Sequence, residues 1–150
     1  ERPAAAARFL ALRAPALDAT RRAELASRAL AVLATPSLAP LFTEGAQAEV
    51  SLAGRIEARP GRFIDIVGQI DRLAVTEDEV LVADFKTGAP RAEGETPPVY
   101  LAQLALYRAA LAAAWPGRRV RMLLVWTDGP TIVEPSAAAL DAALARVAAP

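Results

Sequence analysis

The sequence predicts an α/β fold, a central mixed sheet of four or five strands flanked by helices, and three stretches carry that prediction. Residues 68–75, GQIDRLAV, and 79–86, EVLVADFK, are rich in Val, Ile and Leu and are joined by a short polar link, the pattern of a strand pair rather than of a helix. Residues 99–114, VYLAQLALYRAALAAA, have helix composition and lie between Pro97-Pro98 and Pro116-Gly117. Residues 118–127, RRVRMLLVWT, form a strongly apolar strand after a basic start. A crossover helix would return that strand to the middle of the sheet, beside the first hairpin.

The remaining elements follow from periodicity and punctuation. Residues 3–13 read as a short helix with Phe9, Leu10 and Leu12 as its apolar residues. Asp18 is placed to cap a second helix running to about Leu33, with Leu25, Ala29, Val32 and Leu33 at helical spacing, and Thr35-Pro36 ends it. A turn at Gly45 leads into a strand over 48–56 in which Ala48, Val50 and Leu52 alternate with polar neighbours, so Glu49 leaves on the polar face as a solvated acid. Arg59-Pro60-Gly61-Arg62 is a turn before a strand over 63–73. In that strand Gly68 permits close backbone packing or a bulge. Residues 86–98, KTGAPRAEGETPP, form the one long irregular segment, either a solvent-exposed linker or a loop whose Arg91 meets phosphate. Asp128-Gly129-Pro130 turns the chain into TIVEP, and Ser136 caps a last helix with Leu140, Leu144 and Val147 as its stripe.

At 150 residues and 15.8 kDa the sequence suits one domain, with a helical part over 1–45, a core over 46–135 and a C-terminal helix over 136–150. No apolar run reaches the roughly 18 to 20 residues that span a bilayer, so no membrane partner is expected. The absence of cysteine excludes disulfides, thiolate zinc sites, Cys-ligated Fe–S clusters and Cys nucleophiles, and is compatible with a cytoplasmic protein. The absence of histidine excludes imidazole chemistry within this sequence. Seventeen basic residues against seventeen acidic ones give zero formal charge, which argues against tight autonomous nucleic-acid binding. It leaves room for a module that receives DNA from an attached motor. With no Met or signal-like segment at Glu1, the sequence is expected to be a piece of a longer chain.

The chemistry concentrates in 68–88. Strand alternation points Asp84 and Lys86 the same way with Phe85 opposite, and an antiparallel partner sets Asp71 beside them. Two carboxylates and an ammonium on a half-buried face are costly unless they pair or hold a cation. Magnesium, a hard ion that keeps several waters, suits such a set: Asp71, Asp84 and the Phe85 carbonyl as ligands, with Lys86 orienting or deprotonating the attacking water. The bland alternative is an ion pair on a solvated strand face. Asp65 stays outside the site, because six residues of extended strand put it roughly 20 Å from Asp71 on the same face. Gln103 and Tyr107, four apart on the helix, share a face. Arg118, Arg119 and Arg121 form the best basic cluster, read as solvated surface or as a phosphate contact.

GQIDRLAV, VADFKTG and QLALY, in this order and spacing, resemble the PD-(D/E)XK nucleases, and within them the RecB-like domain that ends AddA-type helicase-nuclease subunits. The likeness covers about residues 46–135 well and the N-terminal part loosely. It implies a restriction-endonuclease-like core and hydrolysis of DNA phosphodiesters with Mg2+, or Mn2+ in its place, in processing double-strand breaks in the bacterial cytoplasm. The implied partners are DNA, an AddB-type subunit and ATP-binding helicase domains of the same parent chain. Asp71, Asp84 and the Phe85 carbonyl would hold the metal, Lys86 would position water, and Gln103 and Tyr107 would hold substrate or order the site. Glu49 would be an additional acid, since the family often has one on this strand. RecB-like domains usually complete the metal site with an upstream histidine, and its absence here implies a weak, inactive site unless a preceding helix supplies it. Two alternatives stay open: a pseudo-nuclease that binds DNA or braces a partner, and a structural domain whose D-x-K residues make ion pairs.

Overall fold

The structure is a computed structural model that describes residues 1–149. Five strands make one mixed sheet in the order β1-β2-β3-β4-β5. Strands β1 (Gln47–Arg59), β2 (Arg62–Val75) and β3 (Glu79–Lys86) form an antiparallel meander, β4 (Arg119–Trp126) runs parallel to β3, and β5 (Thr131–Val133) returns antiparallel to β4. The parallel step needs a crossover, and α3 (Pro98–Ala114) supplies it, as the Pro-bracketed alanine- and leucine-rich run predicts.

Helices cover both faces. Helices α3 and α4 (Ala137–Val147) lie on one face, where Leu104, Leu111 and Leu140 pack with Val80, Val82, Met122 and Leu124. On the other face α2 (Ala19–Leu33) and a 3-10 segment, Pro36–Phe42, bring Val32, Leu38 and Leu41 onto Leu81, Ala83, Leu123 and Val125. Helix α1 (Arg2–Arg13) packs on α2 and buries no residue of its own. The caps form at the residues the sequence marks: Asp18 accepts from Arg21 N–H at 2.8 Å and Ser136 from Ala139 N–H at 3.2 Å.

One departure from simple alternation matters for the site. Ile64, Ile66 and Ile70 face the α3 side, and so does Leu73, an odd number of positions on. Arg72 meanwhile lies over the Phe42 ring on the opposite side. The phase of β2 therefore changes between Ile70 and Arg72. The β1–β2 register runs from Ala48↔Arg72 to Val50↔Ile70 without a Glu49–Asp71 pair, and Glu49, at φ 54°, is the only non-glycine residue with positive φ among those described. This corrects the expected geometry of Asp65. It alternates with Ile64 and Ile66, so it leaves from the outer face, where it pairs with Arg55 at 2.6 Å. The break in phase removes the basis for placing it on the face of Asp71.

Candidate active site

The end of β3 carries the charged residues. Asp84 is only 6% exposed, and Lys86 Nζ lies 2.7 Å from its Oδ2. The two form a largely buried ion pair at hydrogen-bond distance, and apart from Lys86 nothing among the described residues bonds to Asp84 Oδ2. Burial raises the Asp84 pKa, the Lys86 ammonium works against that shift, and the Asp71 charge adds to it. Burial prevails. Asp71 Oδ2 accepts from Phe85 N–H at 2.7 Å, which fixes this carboxylate at the edge of β3. The structure thus brings together Asp71, Asp84, Phe85 and Lys86, with Phe85 packed on the opposite core as alternation requires.

Asp71 keeps its other oxygen for a ligand, and Asp84 could offer its carboxylate in exchange for the contact with Lys86. Two carboxylates with the adjacent Phe85 carbonyl fit a hard divalent cation whose remaining positions go to water and phosphate oxygen. No third His, Cys, Asp or Glu joins them among the described residues.

Tyr107 packs against β2. Its hydroxyl accepts from Gln69 N–H at 3.2 Å and from Gln103 Nε2 at 3.4 Å, and the side chain is 8% exposed. The ring lies on Gly68: a Cβ built there would sit 2.0 Å from the hydroxyl oxygen. Gly68 is therefore the close-packing position its sequence context suggests, and the Q-x-x-x-Y pair clamps β2 just before Asp71. Glu49 is exposed and accepts from Gln69 Nε2 at 2.8 Å. Its contact is with Gln69.

Two residues that sequence reasoning passed over complete the surroundings. Tyr100 opens α3 with its ring under the Lys86 ammonium, 4.4 Å from Nζ to the ring centroid, and Trp126 lies against Tyr100 with centroids 6.2 Å apart. Tyr100 shares a helix face with Gln103 and Tyr107, which was the available signal. A second signal was compositional: sixteen of the seventeen basic residues are arginine, and Lys86 is the one lysine. Beyond the site, Asp128 accepts from Arg28 of α2 at 2.7 Å and from Gly88 N–H at 3.0 Å, which ties the loop after Lys86 to the far helix. The basic cluster is engaged elsewhere: Arg121 pairs with Glu134 and Glu79, and Arg118 donates to the Thr76 carbonyl.

The description "PD-(D/E)XK nuclease superfamily" belongs to the family model that matches residues 1–148. The chain belongs to this superfamily. Among solved structures it is similar to a crystal structure described as "Putative exonuclease" from Eubacterium rectale, with a TM-score of 0.56 and 16% identity over 85% of this chain and 50% of that one. It also aligns with SSO0001, at a TM-score of 0.43 and 20% identity over 80% of this chain and 55% of that one. The superfamily domain thus spans about half the length of these two chains. No curated protein sequence matches.

Proposed function

We propose that this chain is a metal-dependent nuclease domain that hydrolyses DNA phosphodiesters. The observation that carries the reading is the buried Asp84, with an Oδ2 approached by Lys86 alone, beside an Asp71 held to the Phe85 amide. Asp71, Asp84 and the Phe85 carbonyl would hold Mg2+ or Mn2+. When bound, such an ion activates water and neutralises charge on the scissile phosphate. The protein's own residues do the rest. Asp71 and Asp84 fix the reaction centre, Lys86 presents an ammonium to the attacking water and the developing charge, and Tyr107 with Gln103 holds β2 in place.

The motifs GQIDRLAV, VADFKTG and QLALY support a finer placement, as the nuclease module ending an AddA-type helicase-nuclease that works with an AddB-type subunit on DNA ends. A preceding histidine-bearing helix would then complete the site. The donor set favours one competing reading: with two carboxylates and no third acidic or imidazole group among the described residues, the domain would bind DNA or brace a partner without cutting.

Cleavage of linear DNA with Mg2+ or Mn2+ decides between them, measured on this chain and on a form extended upstream through a histidine-bearing helix. Asp84→Ala and Lys86→Ala should each lower cleavage by on the order of a hundredfold or more while leaving the circular dichroism spectrum unchanged. Full cleavage by both variants removes the metal-site reading. No cleavage by either unmutated form favours the non-cutting domain.

A further inference from the structure

We infer that Tyr100 is a positioning residue for Lys86: its ring holds the ammonium against Asp84 and so sets the direction of the Lys86 N–H groups that remain. The inference rests on the nuclease reading for its catalytic meaning, and on contacts at the end of β3 for its geometry.

A lysine ammonium is a compact charge on a flexible four-carbon stem, with three donors that rotate freely. One contact fixes its distance from a partner and leaves its direction open. Here two contacts converge. Asp84 Oδ2 lies 2.7 Å from Nζ, and the Tyr100 ring centroid lies 4.4 Å from the same atom. The carboxylate and the electron-rich ring face occupy two sides of the ammonium, so its remaining donors are confined to the sector left over. The ring is itself held. Trp126, paired in register with Lys86 across the parallel β3–β4 step, packs at 56° to Tyr100, and Tyr100 sits in the first turn of α3. No hydrogen bond of the Tyr100 hydroxyl enters this arrangement, so the ring carries the effect.

Lys86 also has a reason to need a second support. Its partner Asp84 is a single carboxylate, and a cation that entered the site would compete for it. The ring keeps the ammonium in place when Asp84 turns to another ligand.

Because Lys86 is the only lysine, a chain labelled with 13C-lysine gives a single Cε signal in an NMR spectrum of the folded protein. Protons over an aromatic face resonate upfield. The Lys86 Cε protons should therefore lie upfield in the unmutated protein and in Tyr100→Phe, and should move to the position of a free lysine in Tyr100→Leu. Tyr100→Met, with a flexible side chain that refills the space, replaces the leucine variant should that one not fold. In the form that cuts DNA, the leucine or methionine variant should lose on the order of tenfold in kcat with KM unchanged, and Tyr100→Phe should restore it. A Lys86 signal that stays put in a folded Tyr100→Leu or Tyr100→Met protein overturns the inference, and so does a lost upfield shift with kcat intact. If neither unmutated form, this chain or the one extended upstream, cuts DNA while the Lys86 signal behaves as expected, the nuclease reading fails and the hold of Tyr100 on Lys86 stands.

Discussion

The two faces of β3 begin alike and end differently. On the α3 face Val80 and Val82 are fully buried, and the next two positions are Asp84 and Lys86; on the α2 face Leu81, Ala83 and Phe85 stay apolar to the end. Each face sets one cation over one ring, Lys86 on Tyr100 and Arg72 on Phe42. The covers differ in tightness. Tyr107 touches the backbone of Gly68 on the α3 face, whereas on the α2 face an open groove lined by Leu25, Ala29, Val32, Phe42 and Phe85 leaves Phe85 partly exposed. The close contact lies behind the charged residues, and the open groove lies against Phe85 on the opposite face.

Four substitutions test that contrast. Gly68→Ala should have the largest effect, because its Cβ would overlap the phenol of a buried tyrosine bonded to Gln69 and Gln103. Overpacking with two weakened hydrogen bonds should cost about 3 kcal/mol, read as a fall in the urea midpoint. An unchanged midpoint would mean that the α3 face is as loose as the other.

Phe85→Ala removes far more atoms yet should cost less, about 2 kcal/mol, because the open groove lets its neighbours collapse into the space. Full burial of a phenylalanine would give a loss of roughly 3 to 5 kcal/mol, so a cost above that of Gly68→Ala would mean that the groove does not collapse. Thermal melts of the two variants, run side by side, give the order directly.

Asp84→Asn should stabilise the fold. Burial raises the Asp84 pKa, so the ionised form costs stability at neutral pH, and that cost disappears as pH falls below the unfolded carboxylate range. Asparagine removes the charge. The variant should have a higher Tm at pH 7 and an unchanged one near pH 3. A lower Tm at pH 7 would show that the pair with Lys86 outweighs the burial of the carboxylate.

Glu49→Gly should give the smallest change, a gain of about 0.5 kcal/mol, because φ 54° suits glycine and strains glutamate. Cleavage measured on the same variant settles the part of this acid: unchanged activity leaves it as a contact for Gln69, and a large loss makes it a member of the site.

The elements were legible because each announces itself locally, through caps at Asp18 and Ser136, prolines around α3 and apolar runs in β3 and β4. The same-side placement of Asp84 and Lys86 was legible for the same reason, since it follows from a period of two. Tyr100 was harder to read: its helix face with Gln103 and Tyr107 was visible in the sequence, but its contact with Lys86 exists only once α3 crosses the sheet. The change of phase in β2 was hidden too. Nothing in AEVSLAGRI marks Glu49 as the residue that takes a left-handed conformation, opposite Asp71, where the β1–β2 pairing skips. Asp128 read as part of a turn, and its bonds to Arg28 and Gly88 join three segments distant in sequence.

The meander followed by a crossover also sets an order of assembly. Strands β2 and β3 are joined by a tight turn, so Asp71 and Asp84 meet through contacts that are cheap in chain entropy and form early. The aromatic support of Lys86 comes from the crossover helix and the strand beyond it, and those contacts close a much longer loop. On loop length alone, the two carboxylates and the lone lysine are expected to come together before α3 shields them from water. The unfavourable burial of Asp84 is tied to the contacts that close the longer loop, those of α3 with the sheet.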